Sequence, residues 1–175
     1  MRIILGIDPG SVKTGFGLIA CEGSKHTYIS SGVIRLPVGP LPARLKVIFE
    51  CISEIVTEHR PTEVAVEEVF MAKSAGSALK LGQARGAAVT ACVSRNLPVA
   101  EYTARQIKQS VVGTGAANKE QVQQMVKTLL SLPAAPQEDA ADALAAALCH
   151  AHSQHSVNKL NQPTVRGRMR RGRLS

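Results

Sequence analysis

Three places in the chain put carboxylates where a hydrophobic core does not want them. Asp8 closes the apolar run "IILGID" just before Pro9 and Gly10, Glu67 stands among apolar residues in "AVEEV", and Asp139 and Asp142 open the last helical stretch three residues apart. Singly, each has an ordinary explanation. Asp8 could cap the Pro-Gly turn, one of Glu67 and Glu68 must face outward by strand alternation, and acids in a first helical turn favour the macrodipole, with Asp139 a possible N-cap. Together they suggest a metal site. Positions i and i+3 share a helical face, and a helix laid over a sheet could carry Asp139 and Asp142 to the ends of the first and fourth strands. Two carboxylates about 5 Å apart repel by roughly 3 kcal/mol at an effective dielectric near 20, so such a gathering needs a cation. Oxygen ligands without cysteine or suitable histidine select Mg²⁺ or Mn²⁺ over zinc. Two such ions ~3.5–4 Å apart can activate water and stabilise the departing oxygen of a phosphodiester.

The elements that must position these acids are legible in the patterning. Residues 3–8, 14–21 and 27–36 read as an antiparallel meander of strands, with Pro9-Gly10 and Gly23-Ser24 as turn chemistry. Leu41, Leu45, Ile48, Ile52 and Ile55 recur at helical steps and end near Pro61. Strands follow at 63–70 and 98–103, with a helix between them from about Ser77 to Arg95. Helical pattern returns at 104–112, at 118–132 behind a capping-box spacing of Asn118 and Gln121, and from about Gln137 through "DAADALAAALCHAH". The expected class is α/β, a mixed five-stranded sheet with helices on both faces.

At 175 residues the chain is long enough for one domain. It is expected over 1–154, with 155–175 a basic, disordered tail. The formal net charge of +8 is unevenly spread. Residues 71–119 carry seven basic groups against one acid, and 155–175 carry six against none. Blocks of one sign point to a polyanion, and nucleic acid is the favoured partner. Lys73, Lys80, Arg85, Arg105, Lys108 and Lys119 form the internal block and are the candidate phosphate contacts. Phe70, one of only three phenylalanines, leaves the fourth strand where it could stack on a splayed base or simply fill the core.

No run of ~18 apolar residues suggests a membrane span, and the first strand does not resemble a signal peptide, so a cytoplasmic location is expected. Cys21, Cys51, Cys92 and Cys149 are widely spaced and suggest core thiols rather than zinc ligands or disulfides. His150, His152 and His155 do not share one helical face.

"LGIDPGS", "EEVFMAK", "SALKLGQARGAA", "EYTARQIKQSVVGTG" and "PQEDAADALAAALCHAH", in this order, resemble the RuvC family of crossover-junction (Holliday-junction) endonucleases. The resemblance implies a ribonuclease-H-like fold. It further implies that Asp8, Glu67, Asp139 and Asp142 are catalytic, Mg²⁺-binding carboxylates, with Glu67 rather than Glu68 as the ligand. Lys108 and Lys119 are placed near the catalytic centre by the same likeness, and Phe70 in a loop that meets the junction. Implied as well are a homodimer that makes paired symmetric nicks leaving 5′-phosphate and 3′-hydroxyl ends, and work beside the RuvA and RuvB branch-migration proteins. The Ala- and Gly-rich helix "SALKLGQARGAAVTACV" is the candidate for part of the dimer interface. Two rivals remain at this point: a phosphate-binding ATPase, suggested by "GIDPGSVKTG" but needing a second domain, and a junction-binding protein without catalysis, which has no use for four acids.

Overall fold

The computed structural model describes residues 1–68 and 74–160, with side chains through residue 157. Strands β1 (Arg2–Asp8), β2 (Lys13–Glu22), β3 (Lys25–Arg35), β4 (Glu63–Glu68) and β5 (Val99–Thr103) form one sheet in the order β3-β2-β1-β4-β5. The first three pair antiparallel, whereas β4 runs parallel to both β1 and β5, as the expected mixed sheet requires. The β1–β2 turn is closed from within by the buried Thr14 hydroxyl, which accepts from the Gly10 amide at 3.3 Å and donates to its carbonyl at 3.2 Å.

Five helices complete the described chain: α1 (Leu41–His59), α2 (Ala75–Val93), α3 (Ala104–Val112), α4 (Lys119–Leu129) and α5 (Glu138–Leu160). Helix α2 starts two residues before the expected Ser77, because the Ser74 side chain caps it by accepting from the Ser77 amide. Helix α4 ends short of 132, where Ser131 turns the chain at φ 52°. At the start of α5 the capping oxygen belongs to Gln137, whose Oε1 accepts from the amides of Asp139 and Ala140, so Asp139 lies inside the helix and is not its cap. Residues 155–160, expected to begin the tail, continue α5, with Ser156 bonded back to the His152 carbonyl. Residues 161–175, like Phe70 and Lys73, lie outside the described residues.

Strand alternation sorts the core into two layers. Leu5, Ile7, Leu18, Val64 and Val66 face α1 and α2, whereas Ile4, Ile19 and Ala65 face α3, α4 and α5. Helix α5 is the centre of the second layer. Its residues from Ala143 to Leu148 are fully buried, which explains why the segment shows almost no amphipathic stripe: a helix covered on all sides has no polar face to display.

What seats α5 is missing side chains on the sheet. A Cβ on Gly6 would stand 1.8 Å from the Ala143 carbonyl oxygen, one on Gly15 2.0 Å from the Asp139 carbonyl oxygen, and one on Gly17 2.6 Å from the Leu144 side chain. These glycines give the helix backbone direct contact with β1 and β2. Gly6→Ala is therefore expected to destabilise the protein by at least ~1–3 kcal/mol, as overpacking of a tight core does. Gly82→Ala, in α2 with nothing near the added methyl, is expected to stabilise by about 0.5–1 kcal/mol through helix propensity. Chemical denaturation of both variants checks the pair; equal, small effects would contradict the close seating of α5.

Candidate active site

The alternation that builds the core also aims the acids. Asp8 lies on β1 two residues after Gly6, and Glu67 on β4 two residues after Ala65, so both emerge on the face that α5 covers. The parallel pairing of Ile7 with Val66 puts the two acids side by side at the ends of adjacent strands. Glu68 falls on the opposite face and is exposed. From above, the first turns of α5 deliver Asp139 and Asp142. Asp8, Glu67, Asp139 and Asp142 then line one cavity of about 290 Å³, with Lys108 of α3 and Lys119 of α4 on its wall.

The electrostatics are those of like charges confined together. Burial, followed by repulsion from Asp142, Glu67 and Asp139, pushes the Asp8 carboxyl up to about 8. Burial likewise raises Asp142 to about 6, with Lys119 and Lys108 opposing and Glu138 and Asp139 adding to the rise. Glu67 is raised by burial and by Asp142, against the pull of Lys108 and Lys119. Asp139 behaves in the opposite way. Burial alone would raise it, but hydrogen bonds from Lys13 and Gln137 outweigh that and hold it below the usual carboxylate range.

The donor set fits a hard divalent cation: the cavity offers carboxylate oxygens from four residues and no sulfur or imidazole. Burial first and then mutual repulsion raise two of those acids well above their ordinary range, a cost that a cation among them would offset. Among the described residues, no three acid, histidine or cysteine side chains already stand as an ion's coordination shell. At one corner the Asp139 carboxylate is already engaged, with Lys13 Nζ 2.7 Å from its Oδ2.

The other expected contacts are scattered. Arg85 is tied to Glu101 across α2 and β5. Arg105 is exposed and lines a separate groove with Tyr102, Gln109 and Ser153, while Lys80 is exposed on α2. Lys119 is paired with Glu138, the extra acid beside Asp139. His150, far from a ligand role, bridges Glu63 at 2.6 Å and Tyr102 at 2.7 Å midway along α5. Lys13 and Gln137 were not expected at the site. Lys13 stands one residue before the expected start of the second strand, so alternation along 14–21 did not include it.

A carboxyl that holds its proton more tightly folded than unfolded makes the folded state bind more protons between the two pKa values, so stability falls as pH rises through that window. For Asp8 the window runs from its ordinary 3.8 to about 8. In chelator, the melting temperature is thus expected to fall between about pH 5 and pH 8. Asp8→Asn should raise it at pH 8 by at least ~2–4 °C, the equivalent of about 1 kcal/mol in a chain of this size, and by much less at pH 5. Melting curves at the two pH values decide; an Asp8→Asn gain that does not grow with pH would show that the acids do not repel as the geometry implies.

Residues 4–150 match the family model for the crossover junction endodeoxyribonuclease RuvC. The chain is 61% identical to the crossover junction endodeoxyribonuclease RuvC of Saccharophagus degradans, covering 99% of both chains. It is 60% identical to that of Teredinibacter turnerae over the same shares. Its structure is similar to Thermus thermophilus RuvC in complex with a Holliday junction substrate, with a TM-score of 0.85 and 36% identity over 90% of this chain and 97% of the other. A yeast mitochondrial Holliday junction resolvase, 15% identical, has a TM-score of 0.64 over 90% of this chain and 81% of its own, a likeness of fold alone. By its sequence along nearly its whole length, and by its ribonuclease-H-like sheet and helices, the chain belongs to the RuvC family of crossover junction endodeoxyribonucleases.

Proposed function

We propose that this chain resolves four-way DNA junctions by hydrolysing one phosphodiester in each of two strands, with Asp8, Glu67, Asp139 and Asp142 holding Mg²⁺ at the cutting site. The observation that carries the reading is the convergence of four acids from β1, β4 and α5 in one cavity, at the cost of raising three of them. A fold selected for stability alone would not keep them together. Mn²⁺ is the expected substitute, and two ions per site match the number of carboxylates and the chemistry of phosphodiester hydrolysis.

When bound, the divalent cations supply the positive charge that activates a water and eases departure of the 3′ oxygen. The chain's own groups do the rest. The carboxylates fix where that charge sits, because β1, β4 and α5 are locked by core packing on both sides of the sheet. Lys108 and Lys119 border the same cavity, where an ammonium can steady the non-bridging oxygens of the phosphate under attack. Products with 5′-phosphate and 3′-hydroxyl ends follow from attack by water on the phosphorus with loss of the 3′ oxygen.

For holding the junction, the exposed Lys80 and Arg105 remain candidates for backbone contact, whereas the pairing of Arg85 with Glu101 supports a structural role for that residue. Phe70 and Lys73 follow directly on β4, close in sequence to Glu67, which supports base stacking and phosphate contact there. A homodimer suits a junction that needs two symmetric cuts, and RuvA and RuvB are the partners that family membership suggests.

Asp8→Asn, Glu67→Gln, Asp139→Asn and Asp142→Asn are each expected to reduce nicking of a synthetic four-way junction in Mg²⁺ by at least about 10²-fold, the scale of losing a group that stabilises the transition state. Junction binding in Ca²⁺ or chelator, followed by electrophoretic mobility, is expected to persist. Cleavage near the wild-type rate in any one of them removes that residue from the site.

A further inference from the structure

The strongest unassigned feature is the grip on Asp139. Its Oδ2 receives Lys13 Nζ at 2.7 Å and Gln137 Nε2 at 2.6 Å, while the same Gln137 side chain caps α5 through its Oε1. Among the described residues, no other member of the acid quartet is ion-paired to a lysine or arginine: the neighbouring Lys119 is spent on Glu138, and Asp8, Glu67 and Asp142 are left with raised pKa values.

The position of Lys13 is built into the fold. Thr14 ties the loop that leaves Asp8 back onto Gly10, and β2 starts at once with Lys13. Lys13, Gly15 and Gly17 then share the strand face under α5. Because Gly15 has no side chain, the Asp139 backbone settles onto β2, and the ammonium two residues earlier on the same face meets the Asp139 carboxylate. Loop, strand and helix are fixed, but the lysine end itself is free to leave: its side chain is 45% exposed, against 16% for Asp139.

We propose that Lys13 is a resident counterion for Asp139, a positioning residue that holds this carboxylate until a divalent cation displaces the ammonium, and that it thereby sets how tightly the site takes up the ion. This rests on the reading of Asp139 as an ion ligand. An ammonium and a divalent cation compete for one oxygen and repel each other. The lysine therefore weakens ion uptake while it stabilises the empty site, and once displaced its charge is available to a DNA phosphate beside Asp139.

The test uses the full chain and the metal alone, without DNA. Mn²⁺ binding by calorimetry and the rise in melting temperature on adding Mg²⁺ are measured for wild type, Lys13→Met, Lys13→Gln and Lys13→Arg. Removing the charge is expected to tighten Mn²⁺ binding about two- to fivefold, the range that follows from an ion pair partly screened by solvent. The same two variants should melt earlier in chelator yet gain more from Mg²⁺, and Lys13→Arg should stay near wild type. In an Asp139→Asn background the effect of Lys13→Met is expected to vanish. Unchanged or weaker Mn²⁺ binding by both neutral variants, with cooperative melting retained, overturns the proposal. Asp8→Asn separates the two levels. Should it lose Mn²⁺ binding while the Lys13 variants do not tighten it, only the counterion role falls; should it bind Mn²⁺ as wild type does, the ion site falls and the counterion role with it.

Discussion

Backbone-to-backbone contact between α5 and the sheet is the constraint on which the rest depends. Gly6 and Gly15 leave room for the carbonyls of Ala143 and Asp139, and Gly17 for Leu144. A helix packed through ordinary side chains would sit higher above the sheet, and the short arms of Asp139 and Asp142 would no longer reach the space above Asp8 and Glu67. The buried alanines of α5 serve the same end on its other sides, letting α3 and α4 close in and bring Lys108 and Lys119 to the cavity wall. Small residues here are a means of placing charge.

That placement opposes stability. Core packing would be better served by apolar groups at the ends of β1 and β4, yet the chain confines acids there and raises Asp8 to about 8. The surrounding design limits the damage: two lysines face the cluster, Lys13 neutralises the most accessible corner, and the middle of α5 is secured by the Arg2–Glu63–His150–Tyr102 chain of hydrogen bonds. Strain of this kind would be relieved by a cation held as proposed, which would couple folding of the site to its loading.

The sheet and the placement of the quartet's acids on their elements were legible because they obey local rules. A period of two marks β1 and β4 and requires that one of Glu67 and Glu68 face outward, the choice of Glu67 coming from the family resemblance; a step of three puts Asp139 and Asp142 on one helical face. What escaped is non-local or hidden by burial. Gln137 caps α5 although glutamine is not a favoured N-cap, Ser74 lengthens α2, and the pairing of Arg85 with Glu101 joins elements that no spacing relates. Only the seating of α5 over Gly15 shows that Lys13, the first residue of β2, lies beneath an acid of the site.

The central claim is that four carboxylates on three elements make one cation site. Anomalous diffraction from crystals equilibrated with Mn²⁺ tests it most directly. The account predicts Mn²⁺ density within ligating distance of Asp8 and of at least two among Glu67, Asp139 and Asp142, with Lys13 displaced from Asp139 wherever that residue is a ligand. Density confined to other surfaces, or a cavity that stays free of Mn²⁺ at saturating concentration, would contradict it.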